Sequence, residues 1–224
     1  MCGRYSLVSE LSQLQAEFDF EFSAELTPRY NIAPGQDVLA IGYNNGRRIG
    51  SYLRWGLVPF WAKEEKIGYK LINARMESLE EKPSFKHAFQ KRRCLIICDG
   101  YYEWKKTKSE KQPFRFVMKD RRPFAMAGLF EVWKKADGTK PLSTCTIITT
   151  EANASTEDIH DRMPVILKQE DYDYWMNPKN SNINELKQLL VPYSAEAMDK
   201  YEVSTLVNSP KNEGEELAIP FNSQ

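Results

Sequence analysis

The chain has 224 residues, 42% of them hydrophobic and 12% aromatic, which is enough to bury a core and excludes an intrinsically disordered chain. Its 31 Lys and Arg residues balance its 31 Asp and Glu residues, and this neutrality argues against a nucleic-acid binder, since such proteins are usually basic. The chain contains no apolar run long enough to span a membrane and no signal-peptide pattern, so a cytoplasmic protein without membrane contact is expected.

The amino-terminal part of the sequence predicts a helix followed by a β-hairpin. Apolar residues at helical spacing predict the helix over Leu7–Phe18, with Ser9 as its N-cap. The hairpin consists of strands over Asp37–Tyr43 and Arg48–Trp55, which are joined by the turn signal Asn44-Asn45-Gly46.

The rest of the sequence predicts a group of strands between short helices. Met76–Lys91 is typical of one or two short helices, with Pro83 at the break. The strands are rich in Ile, Phe and Thr and cover Cys94–Cys98, Phe114–Met118, Phe124–Val132 and Thr144–Thr150, with a turn at Asp137-Gly138. The later helices cover Glu170–Met176 and Asn184–Leu190, and the residues after Asn208 are polar and expected to be irregular.

The predicted strands are grouped and do not alternate regularly with helices, and no linker or repeat divides the chain. This pattern favours the α+β class, with a single domain over residues 2–210 and a polar tail over residues 211–224. We expect a largely antiparallel, barrel-like β core with peripheral helices. The absence of a glycine-rich phosphate loop argues against a Rossmann-type fold, and no cofactor is expected.

The cysteines do not form a metal-binding pattern. They are Cys2, Cys94, Cys98 and Cys145. A chain of this size without a secretion signal favours reduced thiols over disulfides. His87 and His160 are the two histidines, and neither has the spacing of a zinc ligand, so no metal site is expected.

Overall neutrality conceals a block of positive charge. Between Lys82 and Arg122 there are 13 Lys or Arg residues and four Asp or Glu residues, an excess of nine positive charges. This block is compatible with a local phosphate-binding face, although it could equally be a solvated surface with scattered lysines.

Cys2 is the most informative residue, because it follows the initiator Met1 and removal of the methionine would expose it as the first residue. An N-terminal cysteine carries an amine with a pKa near ~7.7–8.0 beside a thiol with a pKa near ~8.5, so both are partly reactive near neutrality. Such a pair condenses with an aldehyde to give an imine and then a five-membered thiazolidine. Alternatively, the thiol can attack an amide while the amine acts as base, and a cysteine can also occupy this position by chance.

Polar residues in apolar surroundings add candidate catalytic groups. Asn73 follows a short apolar stretch, and Glu103 lies among aromatic residues directly after an apolar strand. Burial there would raise the pKa of the Glu103 carboxyl and suit it to acid–base catalysis. His160 could act likewise with Asp161 orienting it. Glu103 in an ion pair and a purely structural His160 remain open alternatives.

Seven segments, in this order, resemble the SRAP family, which is named for SOS-response-associated peptidase. They are Cys2-Gly3-Arg4-Tyr5, Arg29-Tyr30-Asn31-Ile32-Ala33-Pro34, Trp55-Gly56-Leu57-Val58-Pro59-Phe60-Trp61, Asn73-Ala74-Arg75-Met76-Glu77, the segment from Cys94 to Trp104, Ala127-Gly128-Leu129, and His160-Asp161-Arg162-Met163-Pro164. The resemblance covers residues 2 to about 210. It implies recognition of abasic sites in single-stranded DNA and covalent crosslinking through the N-terminal cysteine, as a thiazolidine that shields the lesion from strand cleavage.

The resemblance also implies roles for individual residues. The implied catalytic residues are Cys2, Asn73, Glu103 and His160. The implied DNA-binding residues are Arg4, Arg75 and Arg162 for phosphates, and Pro34 and Trp61 for stacking on bases or wedging the strand. The partner would be abasic single-stranded DNA, bound by a monomer in the cytoplasm at the nucleoid.

Two other functions stay open. An N-terminal-nucleophile peptidase or amidohydrolase would use Cys2, Glu103 and His160 for amide hydrolysis, including release of a short leader, and an imine intermediate would also permit lyase activity. A non-covalent single-strand-binding module would not depend on Cys2 and would bind in a salt-sensitive manner.

Overall fold

A computed structural model describes residues 2–106, 111–134, 138 and 140–221. Across these residues the strands are β1 (Tyr5–Leu7), β2 (Arg29–Ile32), β3 (Asp37–Asn44), β4 (Arg47–Trp55), β5 (Asn73–Arg75), β6 (Arg93–Cys98), β7 (Gly100–Lys106), β8 (Lys111–Met118), β9 (Phe124–Trp133), β10 (Leu142–Glu151), β11 (Arg162–Pro164) and β12 (Met198–Glu202). The α-helices are α1 (Leu11–Phe18), α2 (Pro83–Lys91), α3 (Tyr172–Met176) and α4 (Ile183–Gln188).

The strands form two sheets that share one core. The first sheet is antiparallel, in the order β12-β8-β7-β1-β2. In the second sheet, β10, β4, β3, β6 and β9 pair in a closed ring, because β9 pairs with both β6 and β10. Only the pairs that β10 makes with β4 and β5 are parallel among the described strands. The predicted α+β class, with a largely antiparallel, barrel-like core in one domain, is confirmed.

The predicted hairpin is confirmed. β3 and β4 pair over their full length, and the two residues between their ends, Asn45 and Gly46, both have positive φ, at 49° and 85°. Two consecutive residues with positive φ match the twist of the flanking strands, which is why Asn-Gly favours this turn. In the described part of the chain, no helix is long and apolar enough to cross a membrane.

The first helix begins later than its sequence pattern predicts. It covers Leu11–Phe18, whereas Tyr5–Leu7 is strand β1. Ser9 does not cap the helix; Glu10 occupies that position, and Ser9 instead donates its backbone N–H to Asp99. The apolar residues before the helix therefore serve a sheet, because pairing with β2 and β7 satisfies their backbone groups.

The other predicted elements occur with shifted ends. Pro83 begins α2 at a position where its missing N–H costs nothing, and a 3-10 turn at Met76–Ser78 precedes it. The four predicted strands correspond to β6, β8, β9 and β10, and each is longer than predicted. In the Asp137-Gly138 turn, Asp137 lies outside the described residues and Gly138 has φ +75°. The later helices are shorter than predicted, as α3 and α4.

Described residues beyond 210 pack against the rest of the chain. Glu213 accepts the backbone N–H groups of Tyr30 and Asn31 and pairs with Arg29, so it caps the open edge of β2. Leu217, the last residue of a short 3-10 helix over Glu215–Leu217, is fully buried.

A buried ion pair attaches β1 to the rest of the sheet. Asp99 accepts hydrogen bonds from Ser6 Oγ at 2.8 Å and from the backbone N–H of Val8 at 2.5 Å. Arg115 pairs with Asp99 at 3.1 Å and also donates to Ser6 Oγ at 2.9 Å. The guanidinium covers Gly100, where a Cβ atom would approach its Nε to 2.6 Å. The strand that begins four residues after the amino terminus is therefore fixed from the side.

We expect Asp99→Ala to lower the free energy of unfolding by about 3–5 kcal/mol, because Arg115 would be left buried without its charge partner. Chemical denaturation measures this change. Asp120→Ala is the control, since Asp120 pairs with Arg122 at 3.3 Å and both side chains are about half exposed. The control should change stability by less than about 1 kcal/mol, and equal losses in the two variants would contradict the assignment.

Candidate active site

Glu103 is a buried carboxylate in the middle of β7. The first four residues of the strand are buried, and Glu103, the last of them, is 3% exposed, whereas its neighbour Trp104 is half-buried. Burial of the carboxylate raises the pKa of Glu103 from its ordinary value of 4.5 to about 7, and the positive charge of the amino terminus acts in the opposite direction. A carboxyl with this pKa is present in both protonation states near neutrality, as acid–base catalysis requires.

Cys2 is fully buried beside Glu103 and Asn73. Asn73, at the start of β5, donates its Nδ2–H to the carbonyl oxygen of Cys2 at 2.8 Å. Desolvation raises the pKa of the Cys2 thiol, and the charge of Glu103 raises it further. The resting thiol is therefore protonated, and it would need a base or a neutralised Glu103 to react as a thiolate.

His160 lies at the end of a tightly turned loop before β11. Its Nδ1 accepts the backbone N–H of Arg162 at 3.0 Å and lies 2.8 Å from the carboxylate of Asp161. Desolvation lowers the pKa of His160, with the amino-terminal charge adding to it. When Nδ1 accepts from Arg162, the neutral ring carries its proton on Nε2 and can donate a hydrogen bond from that atom. A proton on Nδ1 would instead bind Asp161.

Glu103 and His160 line one open pocket of about 480 Å³. Its remaining lining residues are Trp104, Lys106, Lys111 and Asn208. Trp104 donates its indole N–H to Asn208 Oδ1 at 2.6 Å, so the segment around residue 208 forms a wall of the pocket. The sequence analysis did not identify these four residues. Alternation along β7 would place Trp104 on the face opposite to Glu103, so it does not predict that both line the pocket, and nothing local to Asn208 signals its position.

The structure thus brings together the four predicted catalytic residues, Cys2, Asn73, Glu103 and His160. Asn73 hydrogen-bonds Cys2, the charge of Glu103 acts on the Cys2 thiol, and Glu103 and His160 line one pocket. Their elements are distant in sequence and come from both sheets.

Arg4 lies next to this group but is committed to internal contacts. Its Nη1 donates to Asn31 Oδ1 at 2.7 Å and to the carbonyl oxygen of Val207 at 2.6 Å. Its guanidinium lies over the Trp104 ring at 5.8 Å. In this arrangement Arg4 holds the residue-207 segment and backs the indole, which differs from the predicted role of a free phosphate ligand.

Arg75 and Arg162 lie on either side of β10. In the sheet, Arg75 pairs with Thr149, and Arg162 pairs with Glu151. Arg75 is exposed, whereas the Arg162 side chain is 11% exposed and forms two hydrogen bonds to Glu77, at 2.7 and 3.0 Å. The two arginines thus lie on the two strands that flank β10, and Arg162 already has a carboxylate partner.

The two predicted stacking residues lie in turns. Pro34 is half-buried at the second position of a turn completed by Gly35, which has φ +87°. Trp61 is 48% exposed in the turn after β4, and its neighbour Phe60 is 54% exposed. Exposed aromatic rings of this kind offer flat faces to nucleobases.

Two arginines of the basic block between Lys82 and Arg122 are buried and make internal contacts. Arg93 is 1% exposed and donates its hydrogen bonds to five backbone carbonyl groups, including those of Trp175 and Asn177. Arg115 is buried in the ion pair with Asp99. These two arginines stabilise the fold, so they are not available to bind DNA phosphates. No group of three metal-ligating side chains occurs among the described residues.

The chain is similar over most of its length to a known protein family. The family model described as SOS response associated peptidase (SRAP) matches residues 1–210. Abasic site processing protein YoqW from Bacillus subtilis (strain 168) is 51% identical, with 97% of this chain and 98% of that protein covered. Abasic site processing protein YedK from Escherichia coli (strain K12) is 32% identical, with 98% and 100% covered.

The similarity extends to a vertebrate protein and to a solved structure. Abasic site processing protein HMCES from Gallus gallus is 34% identical over 80% of this chain and 59% of that protein. A crystal structure of a protein from Bacteroides thetaiotaomicron superimposes with a TM-score of 0.86 at 30% identity, covering 94% of this chain and 97% of that one.

The raised pKa of Glu103 predicts a pH-dependent stability. Between its ordinary value of 4.5 and about 7, only the unfolded chain releases the proton. The unfolded state then binds fewer protons, so stability falls as pH rises through this window. We expect denaturation midpoints of the protein to decline across this window relative to Glu103→Gln. Carboxyl NMR should show a midpoint near 7 that the variant lacks; a midpoint near 4.5 would contradict this.

Proposed function

The chain belongs to the SOS response associated peptidase (SRAP) family, and from that premise we propose that it captures abasic sites in single-stranded DNA by covalent crosslinking to Cys2. The relatives are named abasic site processing proteins, which supports processing of abasic sites by this chain. One observation carries the finer proposal: Asn73 binds Cys2 at 2.8 Å beside Glu103, and Glu103 and His160 line the same pocket.

The proposed reaction begins once Met1 has been removed. A ring-opened abasic deoxyribose presents an aldehyde at C1′, and the amine of Cys2 adds to this carbon. Loss of water gives an imine. The thiol then adds across the C=N bond, forming an S–C1′ bond while its proton passes to the nitrogen, and the product is a thiazolidine. Water is the sole by-product, so no oxidant or cofactor is needed.

The neighbouring groups suit the proton transfers in this sequence. Glu103, with a pKa of about 7, can protonate the departing hydroxyl group and then accept a proton from the thiol. His160 can donate from Nε2 to the sugar ring oxygen while the ring opens. Asn73 orients the reacting residue by holding its carbonyl group. Because the thiol is protonated at rest, attack by the amine comes first, which fixes the order imine then thiazolidine.

Ring closure would protect the DNA strand. An imine at C1′ acidifies the neighbouring C2′–H and so permits β-elimination of the 3′ phosphate, which is the lyase reaction. The thiazolidine removes the C=N bond and with it this route to cleavage. Lyase activity would thus appear only when the thiol fails to close the ring.

Basic and aromatic residues can position the DNA backbone and bases. Arg75 and Arg162 lie on the strands that flank β10, and guanidinium groups suit phosphates. Lys106 and Lys111 line the pocket itself. Trp61 offers an exposed ring for base stacking.

We expect a heat-stable crosslinked band when the protein without Met1 is incubated with a single-stranded oligonucleotide that carries one abasic site. Its intact mass should equal the sum of protein and oligonucleotide minus one water. Cys2→Ala should abolish the band. Cys94→Ala, the same substitution at another buried thiol, should retain it, and an undiminished band in Cys2→Ala would contradict the proposal.

The same variants distinguish the other functions. A peptidase or amidohydrolase would hydrolyse amide substrates without DNA and lose this activity in Cys2→Ala. A non-covalent binding module would bind in a salt-sensitive manner, independent of Cys2.

Glu103→Gln should slow crosslinking by about 10²–10⁴-fold, because the group would no longer transfer a proton. In the unsubstituted protein, the rate should fall as pH rises above about 7, where Glu103 loses its proton. Single-turnover rates between pH 5.5 and 9 measure this limb, which Glu103→Gln should lack. A limb that persists in the variant would assign it to another group.

A further inference from the structure

The side chain of Arg162 is already occupied by an anion that belongs to the chain. Both oxygens of Glu77 accept from its guanidinium, at 2.7 and 3.0 Å, and its Nη2 also donates to the carbonyl oxygen of Thr149 at 2.7 Å. The guanidinium fork matches carboxylate and phosphate oxygens with the same two-point geometry. A DNA phosphate approaching Arg162 would therefore meet a competitor.

Glu77 also lies close to the second arginine of this edge. It follows Arg75 by two residues, in the 3-10 turn at Met76–Ser78. The pKa of Glu77 is lowered, first by its hydrogen bond from Arg162 and in part by the charge of Arg75. The carboxylate is thus stabilised by the two arginines that flank β10.

The pair is asymmetric, which allows Glu77 to leave. The Arg162 side chain is 11% exposed and fixed by the strand, whereas the Glu77 side chain is 54% exposed. Rotation of Glu77 into solvent would cost little desolvation, and it would open the guanidinium without moving the backbone.

Resting on the proposed function, we propose that Glu77 is a specificity-determining residue that holds Arg162 in place of a DNA phosphate, so that intact single-stranded DNA is bound weakly. A phosphate must exchange with Glu77 and therefore gains only the difference between the two ion pairs. An abasic site offsets this loss through covalent capture, which intact DNA lacks. Glu77 thereby shifts selectivity toward the lesion.

Glu77→Gln tests this inference, because it retains the size of the side chain and removes its charge. We expect the dissociation constant for an intact single-stranded oligonucleotide to fall about three- to tenfold. One further phosphate contact should also steepen the slope of log K against log salt by about 0.7. Fluorescence anisotropy across a salt series measures both quantities.

Glu80→Gln is the matched control. Glu80 is three residues away from Glu77 and pairs with Lys187, and the side chains of Glu80 and Lys187 are both partly exposed. It removes the same charge from the same region without touching Arg162, so it should change affinity by less than twofold. In an Arg162→Ala background, Glu77→Gln should no longer improve binding, since the guanidinium that it releases is absent.

The inference is wrong if Glu77→Gln binds intact DNA no more tightly than Glu80→Gln while the unsubstituted protein still crosslinks through Cys2. Loss of all Cys2-dependent crosslinking in the unsubstituted protein would instead overturn the proposed function. Thermal unfolding shows whether Glu77→Gln is folded. If it is misfolded, Glu77→Ala replaces it, and we again expect tighter binding of intact DNA; binding no tighter than that of Glu80→Gln would again contradict the inference.

Discussion

The docking of β1 onto the buried Asp99–Arg115 pair is the constraint on which the candidate site depends. A segment this close to a chain terminus usually frays, because few contacts hold it, yet here Cys2 lies only three positions before the strand begins. Asp99 binds the strand through Ser6 and the Val8 backbone, and Arg115 neutralises the carboxylate. This fixes the direction in which the chain runs back toward Cys2.

Asp99 and Glu103 are buried carboxylates four positions apart, and they have different partners. Asp99 receives an arginine and several N–H and O–H donors, so its charge is compensated. Glu103 is held in a less polar environment, and burial raises its pKa to about 7. One therefore stabilises the fold as the ion-pair partner of Arg115, while the other can exchange a proton near neutrality. The difference arises from the partners that the tertiary structure brings, since both residue types are acidic carboxylates.

Arginine chemistry is divided in the same way. Arg93 and Arg115 serve as internal donors, Arg4 links the residue-207 segment to Trp104, and Arg75 remains exposed. A count of charges along the sequence does not separate these roles, because buried and exposed arginines carry the same formal charge. The neutral chain is consistent with recognition that relies on the chemistry of one aldehyde more than on general attraction to phosphates.

Local periodicity and short fixed patterns were enough to predict the α+β class, the hairpin with its Asn45-Gly46 turn and the central strands. Short motifs in the sequence likewise indicated the family. The sequence pattern began the first helix at Leu7, which belongs to strand β1, since apolar residues fit either period over so short a stretch. Only the tertiary structure decided that Asn73 reaches Cys2, that Asn208 closes the pocket and that Glu77 occupies Arg162. Each joins residues far apart in sequence, and no local preference encodes such a pairing.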